Sequence, residues 1–179
     1  MYSMKAKILF SVIVIFYFSF SCSDEQNTPE SESKDWTNKV EELNVYNKTK
    51  VTVKEGIYGT LIQAEGNCMP TTVDWENTTC KNYPIKRKIR IYEKTKYDQV
   101  VQKDGAFYSE IKTKLIATAE SNDEGFYEIK LSPGKYSVFI EEKGLLYARI
   151  FDGEGYISSI EVEPAKVSEY NLMIDYASY

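Results

Sequence analysis

From Val51 to the C-terminus, apolar and polar side chains alternate residue by residue in one short run after another. Ile85, Ile89 and Ile91 alternate with Lys86, Lys88 and Arg90. Ile111, Leu115, Ala117 and Ala119 alternate with Lys112, Lys114 and Thr118. Tyr127, Ile129 and Leu131 are set against Glu128 and Lys130, and Tyr136, Val138 and Ile140 against Ser137 and Phe139. A period of two belongs to extended chain, where successive side chains point to opposite faces of a sheet. Residues 51–63, 144–151, 156–162 and 167–176 complete the set of β-rich runs, with Gly56 and Gly59 as expected bulge points. Turn chemistry separates them: Ser121-Asn122-Asp123-Glu124-Gly125, Ser132-Pro133-Gly134, Asp152-Gly153-Glu154-Gly155 and Glu163-Pro164. Seven to eight short strands at this spacing predict an all-β protein, a Greek-key-type β-sandwich of about seven strands.

The N-terminus is built differently. Lys5 and Lys7 precede a run from Ile8 to Phe20 that is apolar apart from Ser11 and Ser19. Such a run is short for a membrane span, which needs about 20 residues, and it fits the central region of a signal peptide. Ser21 and Cys22 follow, and the chain turns polar at once with Ser23-Asp24-Glu25-Gln26-Asn27. This arrangement resembles a bacterial lipoprotein signal of the looser kind used by Bacteroidota. Residues 1–21 would then be removed, and lipidation of Cys22 would hold the protein at the cell envelope, as an outer-membrane lipoprotein with its membrane contact through the lipid. Stable anchoring takes more than one acyl chain. Residues 22–50 read as a mostly flexible tether, with a short helix expected near 35–45 from the spacing of Trp36, Val40 and Leu43. Residues 51–179 form the expected domain.

Charge and composition narrow the function. Without Lys5 and Lys7 the 22 basic side chains become 20, against 27 acidic ones, for a net charge of −7. That balance opposes binding to nucleic acid. The chain has no histidine, which excludes Ser-His-Asp and Cys-His catalysis and His-ligated zinc. No motif calls for a cofactor or a metal, and the expected protein is not an enzyme. With Cys22 assigned to the anchor, Cys68 and Cys80 remain, and in an oxidising envelope they are expected to form a disulfide.

One segment is more specific. Thr118-Ala119-Glu120-Ser121-Asn122-Asp123-Glu124-Gly125-Phe126-Tyr127, followed by Ser132-Pro133-Gly134-Lys135-Tyr136, resembles the hallmark of carboxypeptidase regulatory-like domains: Asp-x-x-Gly, an aromatic residue, a strand, then Pro-Gly-x-Tyr. The resemblance implies a transthyretin-like or prealbumin-like sandwich and a non-catalytic role, with each of the two turns reversing a hairpin.

Candidate binding residues are few. Lys86, Arg87, Lys88 and Arg90 form a basic run in an acidic protein, flanked by Tyr83 and Tyr92, and a contact with an anionic glycan or a protein is one reading of Arg87, Arg90, Tyr83 and Tyr92. Trp75 lies between Cys68 and Cys80, where a stapled loop suits a protein or ligand contact. A solvated strand face and a core-covering tryptophan are the plainer readings. Asp152-Gly153-Glu154-Gly155 reads as a turn, because two acids are too few for a calcium loop.

Overall fold

Alternation obliges each strand to hide one row of side chains, and two stacked sheets meet that demand. The computed structural model describes residues 34–69 and 79–179. Helix α1 (Val40–Lys48) is followed by strands β1 (Gly56–Glu65), β2 (Lys81–Pro84), β3 (Lys88–Glu93), β4 (Val100–Asp104), β5 (Phe107–Ile111) and β6 (Leu115–Glu120). Next come β7 (Phe126–Lys130), β8 (Gly134–Glu142), β9 (Leu145–Tyr147), β10 (Ser159–Val162), β11 (Val167–Glu169) and β12 (Leu172–Asp175).

The first sheet is organised around β1. Its N-terminal half pairs with β7 antiparallel and β11 parallel, and its C-terminal half with β2 antiparallel and β12 parallel. The second sheet runs β4-β5-β9-β8-β3-β6, with β10 also on β8. Between the sheets lie Ile57, Leu61, Ile129, Leu172 and Ile174 from one side and Ile89, Ile91, Val138, Ile140 and Tyr147 from the other. The fold is therefore an all-β sandwich.

Several particulars differ from the sequence reading. Among the described residues twelve strand segments replace about seven, because β2, β4 and β5 carry no clean alternation and the 167–176 run divides at Tyr170–Asn171. At that break the backbone ladder is patched by a side chain: the Thr60 N–H donates to Asn171 Oδ1 at 2.8 Å. The Asn122–Gly125 and Pro133–Gly134 turns do not close hairpins. Strand β6 pairs with β3, whereas β7 pairs with β1 and β8 with β3, so both turns carry the chain from one sheet to the other. Alternation reports which face a residue takes but not which strand it meets. The first corner is held by Asn122, whose Oδ1 accepts the N–H groups of Glu124 and Phe126 at 3.0 and 2.9 Å.

Gly56 and Gly59 are not bulges. A Cβ on Gly59 would lie 2.1 Å from the Tyr170 carbonyl oxygen, and Gly56 has a φ of +134° with the Ile129 carbonyl equally close. Both glycines admit neighbouring backbone. The observed register shifts fall instead in the β3–β6 pairing, at Ile91/Tyr92, and in the β4–β5 pairing, between Val101 and Asp104. Leu115 is exposed on β6, whose free side is the end of the sheet.

Phe139, expected on the polar face of its strand, is fully buried. It joins Tyr92, Tyr108, Ala148 and Ile157 in a second apolar cluster, so β8 is covered on both faces. Tyr92 and Tyr108 stand edge-on to Phe139, with ring centroids 5.6 and 5.8 Å away. Helix α1, expected within a mostly flexible tether, packs against the sandwich. Trp36 and Leu43 pack on Ile62, on the outer face of the first sheet. Asn47 fastens the helix, donating through Nδ2 to Thr60 Oγ1 and the Glu124 carbonyl at 3.1 and 2.9 Å.

Candidate functional site

Cys68 and Cys80 form a disulfide, with Cα atoms 4.7 Å apart. Cys22, the apolar N-terminal run and Trp75 lie outside the described residues. Of the four binding candidates that are described, three meet. Arg87, Arg90 and Tyr92 line one groove of about 700 Å³ that crosses β3, β8, β9 and β5. Tyr83 does not join them. It sits on β2 in the other sheet, donating to Glu65 Oε2 at 2.9 Å and accepting from Gln63 Nε2 at 2.8 Å. Burial, reinforced by the Glu65 carboxylate, pushes its phenol pKa up.

The groove is built by local geometry that the sequence dictates. Arg90 and Tyr92 are two apart on β3 and share a face. The chain then reverses after β8 through Lys143 and Gly144, with φ of +52° and +76°. Two consecutive positive φ values at a two-residue loop define the tight hairpin that suits strand twist. Pairing of β8 beside β3 sets Glu141 and Glu142, at the end of β8, against the arginines. Arg87 Nε donates to Glu142 Oε2 at 2.6 Å. Arg90 Nε and Nη2 both donate to Glu141 Oε1, and this bond raises the pKa of the Arg90 guanidinium further.

Each arginine thus has its own carboxylate. Lys143 and Glu110 add one further charge of each sign to the lining. Three groups that only donate hydrogen bonds (Arg87, Arg90, Lys143) face three that only accept them (Glu110, Glu141, Glu142). The anionic-ligand reading of the basic run loses support here: across the sheet Arg87 and Arg90 are paired with Glu142 and Glu141, far away in sequence. On the groove wall, Tyr108 is wholly buried and its hydroxyl has no hydrogen-bond partner among the described residues. A polar atom left in that state costs about 1–3 kcal/mol. Burial raises the pKa of the Tyr108 phenol.

The acidic turn is satisfied from within. Asp152 Oδ1 accepts the N–H groups of Glu154 and Tyr156 at 3.0 and 2.9 Å, and Oδ2 accepts the Ser159 hydroxyl at 2.8 Å. Lys94 Nζ lies 3.6 Å from Asp152 and 3.4 Å from Glu154, where a cation would otherwise sit.

A second cleft, about 430 Å³, went unread in the sequence. It opens between β12 and the chain leaving β9, over Val138, Ile140 and Leu172, with Ile150, Met173 and Tyr179 at its exposed lip. Arg149 and the buried carboxylate of Asp175 pair at its edge. Their separation along the chain hides this meeting, as it hides the partners of Arg87 and Arg90. For the acidic side of the groove the local signal is Glu141-Glu142-Lys143-Gly144, a charged strand end running into a turn.

Fold and site together define a small β-sandwich with a charge-paired groove on the outer face of one sheet. No protein-family model, curated protein or solved structure matches the chain.

Proposed function

We propose that this protein is a non-enzymatic lipoprotein of the cell envelope whose sandwich binds a glycan or a protein in the Arg87–Glu142 groove. The observation that carries the reading is the convergence of Arg87, Arg90 and Tyr92 with Glu141 and Glu142 on one open, polar surface. Pairing of this kind orients several hydrogen-bonding side chains in advance, which lowers the entropic cost of binding. The chain carries no histidine, and the resemblance of residues 118–138 to carboxypeptidase regulatory-like domains points the same way, toward a module rather than a catalyst. Anchoring rests on the Lys5–Cys22 pattern, and the Bacteroidota-type outer-membrane location rests on the same resemblance.

The test is direct. Globomycin treatment of expressing cells should accumulate a heavier precursor, and Cys22→Ser should release the protein from the membrane fraction. A pulldown from solubilised envelope with wild type and Arg90→Ala/Glu141→Ala then tests the groove: capture that the double substitution abolishes supports it, and unchanged capture removes it.

A second reading is a structural accessory subunit of an outer-membrane assembly. The observation favouring it is the exposure of Ile150 and Met173, which line one cleft, and of Tyr97 and Phe151, whose ring centroids lie 6.2 Å apart, since exposed apolar patches mark contact surfaces. Under this reading Ile150→Asp abolishes capture of a stoichiometric partner while the groove variant retains it.

A further inference from the structure

Resting on the groove assignment just made, we infer that the ligand is an uncharged saccharide, recognised through neighbouring hydroxyl groups at the Arg90–Glu141 and Arg87–Glu142 pairs. An anionic ligand entering the groove would meet three carboxylates and have to displace Glu141 or Glu142 from an arginine it already satisfies. The Glu142 side chain is only 4% exposed, so stripping it of Arg87 would leave a desolvated charge behind. A cationic ligand meets the converse obstacle in Arg87, Arg90 and Lys143.

A hydroxyl group meets neither. It donates one hydrogen bond and accepts two, so it can accept from a guanidinium and donate to the carboxylate beside it without parting them. Adjacent sugar hydroxyls fit a lattice in which donor-only and acceptor-only groups stand side by side, and this groove supplies that lattice at two neighbouring pairs. The Arg87 and Arg90 side chains are each 38% exposed, so both stay within reach of a ligand in the groove, although Arg87 Nη1 already donates to the Lys86 carbonyl at 2.9 Å. The second observation is independent of the ion pairs. Tyr108 lines the same groove and keeps a buried hydroxyl without a partner. Ligand entry that opens a path to this hydroxyl would give it a neutral partner with no change in net charge.

The experiment is a glycan array probed with the full chain in detergent, followed by calorimetry on the hits. The expected hits are neutral oligosaccharides. Their affinity should change less than about twofold between low and high salt, because no net charge is neutralised on binding. It should fall at least about tenfold in Glu141→Gln and in Arg90→Lys, since a lysine cannot reproduce the planar fork. Tyr108→Phe should weaken binding while leaving the melting temperature unchanged or raised. Hits confined to sulfated or uronic-acid glycans, with affinity collapsing at high salt, would overturn the saccharide class assigned here and leave the groove intact. An array without hits, alongside an envelope protein whose capture depends on Arg90 and Glu141, would do the same. Oligosaccharide binding that is indifferent to every groove substitution would overturn the groove itself.

Discussion

Glu142 and Tyr176 join the two sheets across the mouth of the sandwich: the Tyr176 hydroxyl donates to Glu142 Oε1 at 3.1 Å, while Oε2 of the same carboxylate takes Arg87. Glu142 ends β8 in one sheet, and Tyr176 follows β12 in the other. A nearly buried carboxylate is thereby given a charged and a neutral donor, the condition under which burial is tolerated. Glu142→Ala should cost about 2–3 kcal/mol and Tyr176→Phe about 1 kcal/mol. Urea unfolding of both single variants and the double variant should give a non-additive cycle. Strict additivity would mean that the two side chains do not cooperate.

Gly59 should tolerate no side chain. Besides the Tyr170 carbonyl, an added Cβ would lie 3.1 Å from the Tyr127 hydroxyl, which itself donates to that carbonyl. Gly59→Ala is expected to destabilise by about 2–3 kcal/mol, as overpacking of a fixed backbone does. Gly153→Ala, with open space around its Cβ, should change the melting temperature little.

The Cys68–Cys80 bridge has a sequence separation of 12 residues. Closing a loop of that size stabilises by about 3 kcal/mol in the chain-entropy model. The Cys68→Ser/Cys80→Ser variant should melt lower by roughly 6–12 °C for a domain of this size. Reduction by dithiothreitol should lower the wild-type melting temperature and leave that variant unmoved.

Acid should act through Asp152. Hydrogen bonds, chiefly from the Tyr156 N–H, hold its carboxyl at about 2, below the ordinary 3.8. Folding therefore lowers this pKa, and the stabilisation from the ionised turn is complete above about pH 4 and is lost as the pH falls towards 2. Glu128 adds in the same direction. Burial works to raise its pKa, and hydrogen bonds from the Thr52 hydroxyl and from the Thr52 and Val53 N–H groups outweigh it. Melting curves between about pH 5 and pH 2 should drop more steeply for wild type than for Asp152→Asn. Parallel curves would exclude the turn as a source of acid lability.

What the sequence determined by itself was local: which residues are extended and which face many of them take. Tyr127, Ile129 and Leu131 lie buried as their alternation requires, and the Asn122 and Pro133 turns stand where their chemistry puts them. Backbone sterics and side-chain solvation act over a few residues, so they can be read from a few residues. Only the tertiary structure decided which strands become neighbours, that β11 and β12 run parallel to β1, and that Phe139 is covered on a face expected to meet water. It also turned a basic run into a neutral groove. Arg90 meets Glu141 because β3 lies beside β8, and a partner 51 residues away is selected by sheet pairing rather than by neighbouring sequence.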